Sequence, residues 1–517
     1  MNQRRACRAV LAALLSASVS SAQTATDPAE LRRQVRTWRA AHEKEIVREL
    51  ADLVALPNVV ENRADIERNA DHLIAMLGRR GIEARRLTAG DAPPAVYGEL
   101  RVPGARRTVV LYAHYDGQPA VPSDWGGADP WKPVLRKGPQ AQDGEVDLAS
   151  VQVLDPEWRL FARSASDDKG PIVTMLAALD ALRAAGVQPS VNLKIFLEGE
   201  EEAGSPHLTE ILRAHRDLLA ADAWILADGP VHQTRKMQVV FGARGVTGVE
   251  MTVYGPARAL HSGHYGNWAP NPAALLAELL AGMRAPDGTI RIAGFQEAVR
   301  PLSASEKQAA AAMPGVEEEL MRDLGLAWTE GGGARLQELI MRPALNLRGL
   351  QAAQVGAQAR NAIPTEASAS IDFRLVPDLT PAKVRELTEA HLTRQGFHVV
   401  REEPDAETRR THPRIVRLTW EEGYPGARTP MDAPFSRAVL RSVEEGVGEP
   451  VLRVPLLGGS IPMYMFGDTL NVPVVIVPTV NHDNNQHAAY ENLRLRNLWD
   501  GIEVFAALFA GLGANWE

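Results

Sequence analysis

Four short apolar runs, each followed closely by acids or imidazoles, constrain this chain more than any other feature. Thr108 to Ala113, Val191 to Leu197, Ala223 to Ala227 and Val472 to Val477 have the length and composition of buried strands. Behind them come His114 and Asp116, then Glu200, Glu201 and Glu202, then Asp228, and finally the stretch His482 to His487. Between the first two runs, Ile172 to Ala185 reads as a helix that Gly186 ends. Such alternation predicts an α/β fold: a mixed, largely parallel sheet flanked by helices. Ligands of open α/β sheets bind beyond the carboxyl ends of the strands, so four strand ends would deliver carboxylates and imidazoles to one edge.

The rest of the chain divides around that sheet. Leu31 to Leu56 carries apolar residues at helical spacing among Arg and Glu, and Pro57 stops it. After about Met237 the pattern changes. Val246 to Tyr254 and Ala367 to Val376 alternate like half-exposed strands, while Pro272 to Met283 and Pro381 to Gln395 look helical, so residues 238–455 read as an α+β unit inserted between 23–237 and 456–517. Residues 286–344 predict helical pieces around a mobile Gly331-Gly332-Gly333 turn and show no chemistry of their own. At the front, Arg4, Arg5 and Arg8 precede an apolar run and then Ser20-Ser21-Ala22, the pattern of a cleaved signal peptide over residues 1–22. General secretion is the default route; Arg4-Arg5 leaves a twin-arginine route open. The expected location is periplasmic or secreted. The only cysteine, Cys7, lies inside this leader, so the mature chain would hold no disulfide.

With 45% hydrophobic and 23% charged residues, the chain is neither disordered nor collagen-like. Its formal charge is -8, and the leader holds three arginines and no acid, so the body is more acidic still. A net-acidic body is a poor partner for nucleic acid, and no run has the length of a membrane span.

Taken singly, the chemical residues are ambiguous. His114 and Asp116 suit a structural pair as well as a metal ligand with its orienting acid. Asp167-Asp168 opens a helix, where acids also complement the helix dipole. Glu200-Glu201-Glu202 suits a solvated turn, or a ligand next to a general base if cations sit nearby.

Taken together, they resemble a family. His114-Tyr115-Asp116, Ser166-Asp167-Asp168-Lys169-Gly170, Gly199 to Ser205, Asp228, Leu260-His261-Ser262-Gly263, Asn361 to Pro364, Asp372 to Pro377, Gly458 to Pro462 and Gln486-His487 follow the order of the co-catalytic zinc exopeptidases. These include carnosinases, non-specific dipeptidases, aminoacylases and glutamate carboxypeptidases, and the dipeptidase branch matches best.

The resemblance implies a zinc-exopeptidase-like catalytic domain with the inserted unit as lid and dimerisation domain. It also implies two divalent ions per chain, zinc first and manganese or cobalt as alternatives. Asp167 would bridge them, with His114 and Asp228 completing one site and Glu202 and His487 the other, and a non-trans peptide would follow Asp167. Asp116 would hold the His114 ring, and Glu201 would be the general base for a water activated by the ions. Glu200 is left without a role. His261 would stabilise the oxyanion, in many relatives from the partner subunit of a homodimer. Arg374 would grip the substrate carboxylate, with Asn361 and Ser460 as further contacts. Before Asp167 the family often has Gly-Arg-Gly; here Ala162-Arg163-Ser164 stands instead, which predicts a less permissive approach loop. The implied activity is hydrolysis of dipeptides or short peptides with a free carboxylate. An N-acyl-amino-acid deacylase or carboxypeptidase is the nearest alternative, and a non-catalytic exported metal- or peptide-binding protein a more distant one.

Overall fold

A computed structural model describes residues 27–517. The expected signal peptide over residues 1–22, with Cys7, lies outside the described residues. The core is an eight-stranded mixed sheet whose central strands run Asn192–Glu198, Thr108–His114, Ala223–Leu226 and Val474–Ile476 side by side and parallel. Antiparallel strands Glu83–Leu87 and Ala95–Leu100 extend one side, so the sheet is parallel at its centre and mixed at its margin.

Side-chain alternation explains why these runs are central strands. Val109, Leu111 and Ala113 enter one core with helices Pro28–Val54, Lys169–Ala184, Pro434–Val447 and Leu495–Asn515. Val110 and Tyr112 enter a second core on the opposite face, with Trp224, Phe196 and Phe466. Both faces are covered, so each run is apolar throughout. Helix Lys169–Ala184 is buried almost all round because it packs between Pro28–Val54 and Leu495–Asn515. Gly170 permits its close start: a Cβ there would stand 2.5 Å from the Ala165 carbonyl oxygen.

A second, five-stranded sheet is built from Ala344–Gln351, Glu366–Leu375, Gly245–Tyr254, Ile415–Trp420 and His398–Val400, with its own core that includes Phe295, Phe373, Leu279 and Leu392. Strands Gln238–Val240 and Leu452–Val454, inside the stretch 238–455 expected as an insertion, pair in the large sheet instead. Val239 and Val240 are buried there, and the chain leaves the large sheet only after them. Residues 286–344 hold helices Ala304–Ala312, Glu317–Asp323 and Leu336–Ile340, and all three glycines of 331–333 have positive φ. Among the described residues no helix is long and apolar enough to cross a membrane.

Candidate metal centre

The four central strands end on the same edge, and the acids and imidazoles behind them meet there. Two groups form, in each of which one ligand atom per residue lies within 4.8 Å of the others: His114, Asp168 and Asp228, and Asp167, Glu202 and His487. Asp167 also reaches the first group. Its Oδ1 is 2.9 Å from His114 Nε2 and its Oδ2 is 3.1 Å from His487 Nε2, which stands 3.2 Å from Glu202 Oε2. The peptide between Asp167 and Asp168 is cis.

Local structure explains each placement. Asp116, fully buried, accepts hydrogen bonds from the Glu201 and Glu202 N–H groups at 3.1 and 3.0 Å, so it sets the 3-10 turn Glu201–Ala203 against the strand end. Gly204 closes that turn at φ 85, a backbone region that disfavours side chains. Asp116 Oδ1 also lies 3.4 Å from His114 Nδ1, a long contact that faces the ring without completing a hydrogen bond. Glu200 turns away from the centre and accepts from the His207 N–H and ring, which gives it a structural place. Gln118 donates to Glu202 Oε2 at 2.9 Å.

The electrostatics are those of acids crowded without counter-ions. Burial first, then Asp228 and Asp167 against an opposing pull from His114, push the Glu201 carboxyl well above its ordinary range. Burial and Asp167 push Asp228 up to about 6, and burial, then Asp228, raise Asp168 well above the ordinary carboxylate range. Burial would raise Asp167 as well, but hydrogen bonds from His114 and His487 hold it well below the usual range. Hydrogen bonds to Asp167 and Glu202 raise His487 to about 10. The residues fit divalent cations. Imidazole nitrogen and carboxylate oxygen are suitable donors, Asp168 Oδ1 is buried with no hydrogen-bond partner, and two cations would stabilise acids that otherwise repel one another.

The other expected site residues fall into two places. Arg374, on the second sheet, donates from Nη1 to Ser460 Oγ at 3.2 Å and from Nε to Asp372 at 3.0 Å, so the second sheet is tied within one chain to the Gly458–Pro462 segment. His261 and Asn361 lie on a separate two-stranded ribbon, where His261 pairs with Ala362, and both are exposed. His261 Nδ1 accepts from the Gly263 N–H at 3.1 Å, and its ring packs against His264. Among the described residues no hydrogen bond or ion pair joins this ribbon to the metal-centre side chains.

Sequence reading missed three residues. Glu491, fully buried, accepts from Ser164, Ser166, Asp167 and Arg163. Tyr424, stacked on Tyr464, stands over Ser460 and close enough to Glu201 for that charge to raise its phenol further, after burial. Gln118 is the third. Position alone makes them relevant; only the sequence nearness of Glu491 to His487 could have flagged one of them. Ser164, where the expected pattern had glycine, adopts φ 62, and its N–H bond to Glu491 and the Asn58 donation to its hydroxyl at 2.9 Å offset that conformation.

Comparison with known proteins agrees with this geometry. Residues 110–510 match the model of peptidase family M20/M25/M40. The chain is 27% identical over 462 residues to the Cys-Gly metallodipeptidase dug1 of Schizosaccharomyces pombe, covering 88% of this chain and 90% of that one. It is 26% identical over 525 residues to the human Beta-Ala-His dipeptidase, covering 97% and 96%. The M20 metallo-carboxypeptidase Sso-CP2 of Sulfolobus solfataricus shares the fold, with a TM-score of 0.70 at 24% identity over 91% of this chain and 99% of that one. With imidazoles and carboxylates gathered at the strand ends and the family pattern spanning most of its length, the chain belongs to peptidase family M20/M25/M40 and is a metal-dependent peptidase.

Proposed function

We propose that the chain is an exported, homodimeric, dinuclear metallodipeptidase acting on dipeptides or short peptides with a free C-terminal carboxylate. One observation carries the reading: the two oxygens of Asp167 face imidazoles from two different ligand groups, while Glu201 stands among the same acids and is needed by neither group. In this reading Asp167 with His114 and Asp228 would hold one ion, and Asp167 with Glu202 and His487 would hold the other. Two divalent ions, zinc by our choice, supply Lewis acidity and a nucleophilic water at neutral pH. Glu201 takes the proton of the attacking water and passes it to the leaving amine. Asp116 fixes the turn that carries Glu201 and faces the His114 ring. Arg374 binds the substrate carboxylate with the part of its planar fork not engaged by Asp372 and Ser460. His261 keeps its proton on Nε2, because Nδ1 accepts from Gly263, and so offers a donor to the oxyanion; Asn361 stands beside it.

The dipeptidase names of the relatives support the substrate class. A dimer is supported by the outer strand Ala344–Gln351, unpaired on one side, with Leu350 61% and the following Val355 85% exposed. Export rests on the basic, apolar and small-residue succession of residues 1–22. The test is metal content of the purified mature protein, with hydrolysis of Gly-Xaa and Ala-Xaa dipeptides and of N-acetyl amino acids before and after chelation and metal return. Two ions per chain and metal-dependent dipeptide cleavage are expected. Cleavage of N-acyl substrates alone overturns the dipeptidase reading, and full activity without metal overturns the mechanism.

A further inference from the structure

We propose that Glu491 is a positioning residue: one buried carboxylate that locks the loop carrying Asp167 to the loop carrying His487, and thereby holds the Asp167–Glu202–His487 group together. The inference rests on the two-metal reading above.

Neither loop is held by regular structure. Residues 162–168 form turns between the strand Arg159–Phe161 and the helix Lys169–Ala184, and the His487 loop has three non-glycine residues at positive φ: Asn485, His487 and Tyr490. Glu491 meets both. Its Oε1 accepts from the Ser166 N–H at 3.0 Å, the Ser166 hydroxyl at 2.9 Å and the Asp167 N–H at 2.9 Å. Its Oε2 accepts from Arg163 Nη1 at 2.8 Å and the Ser164 N–H at 2.9 Å, and its backbone carbonyl accepts from the Ala162 N–H at 3.1 Å. Five donors of one loop thus converge on a single side chain that stands four residues beyond His487 in the chain. A carboxylate holding so many donors is an accurate anchor, because moving it by even part of an ångström stretches several charge-assisted bonds together.

The anchor is asymmetric between the two metal sites. Through Asp167 and His487 it governs two of the three residues of the Asp167–Glu202–His487 group, but of the His114–Asp168–Asp228 group only Asp168, which ends the same loop. Loss of the anchor therefore weakens the Glu202–His487 ion more than the His114–Asp228 ion.

The experiment uses the full mature protein and measures binding of zinc or cobalt by equilibrium dialysis, with cobalt absorption spectra as an independent readout. Wild type is expected to bind two ions. Glu491→Gln is expected to bind the weaker ion ~10- to 100-fold less tightly, to lose less affinity for the other, and to shift the cobalt bands. Glu491→Asp keeps the charge but retracts it by one methylene, and is expected to fail similarly. If Glu491→Gln does not fold, Ser166→Ala removes a single donor and is expected to weaken the same ion several-fold. Both ions held at wild-type affinity with unchanged cobalt bands, at any melting temperature, or full rescue by Glu491→Asp, would overturn the proposal. Wild type that binds fewer than two ions refutes the function reading itself, and this inference with it.

Discussion

The strand-end centre and the His261 ribbon are both made of imidazole and polar side chains, yet they are opposites. His114, Asp116, Asp167 and Asp168 are 0 to 5% exposed, with His114 bonded to Asp167 at 2.9 Å and facing Asp116 at 3.4 Å. His261 and Asn361 lie in solvent, in a ribbon of two residues per strand, with Trp268 79% exposed nearby. The centre is a finished arrangement inside one chain. The ribbon displays its polar side chains to solvent. What the difference teaches is that burial sets the protonation of the first site, whereas on the reading proposed above a partner subunit would set the use of the second.

That contrast can be broken at its strongest point first. Glu201→Gln keeps size and removes the proton acceptor, so kcat is expected to fall by ~10²- to 10⁴-fold while metal content and substrate binding persist; retained turnover in a steady-state assay removes Glu201 from the role of base. His261→Ala is expected to lower kcat by roughly 10²- to 10³-fold with a smaller change in KM, as for loss of an oxyanion donor. An unchanged rate would leave the ribbon without a catalytic part. Leu350→Asp places a charge on the exposed outer strand. Sedimentation is expected to show monomers, and activity is expected to fall towards that of His261→Ala; a monomer with full activity would show that the ribbon acts within its own chain.

The smallest effect sharpens the electrostatic side. Burial opposes ionisation of Asp483, yet Arg159 and Arg494 hold its carboxyl down at about 2. A depressed carboxyl contributes stability that is present above its unfolded value near 3.8 and is lost as pH falls through about 2. Because Asp483 is 38% exposed, solvent screening leaves this below about 1 kcal/mol. Asp483→Asn is expected to lower stability slightly near neutrality, by no more than that amount, and by progressively less as pH falls from about 4 to about 2 in acid denaturation, where the wild-type contribution is itself lost. A loss that persists undiminished below about pH 2 would mean that the charge is not what Asp483 contributes.

Much of this was legible beforehand. The strand Thr108–His114 spans the apolar run that suggested it plus His114 itself, and the helices Pro272–Met283 and Pro381–Arg394 begin at the prolines that marked them. Residues 286–344 were legible only as helical pieces, because their short amphipathic segments lack a strong period. The metal-centre residues stood out because acids and imidazoles directly behind apolar strands are chemically conspicuous. Glu491 did not, since a lone glutamate before a short strand resembles any surface acid until its five donors are in place. Tyr424 stayed hidden for the same reason: stacking on Tyr464 joins positions that share no local pattern.

By itself the sequence determined the alternation of strands and helices and the chemical identity of the strand ends, because hydrophobic period and side-chain type are properties of neighbouring residues. Only the tertiary structure decided that the two oxygens of Asp167 would face two imidazoles, that Glu491 would tie their loops, and that His261 would stand exposed on a separate ribbon. Those are distances between segments hundreds of residues apart, set by how the sheet and its covering helices pack, and no local pattern encodes them.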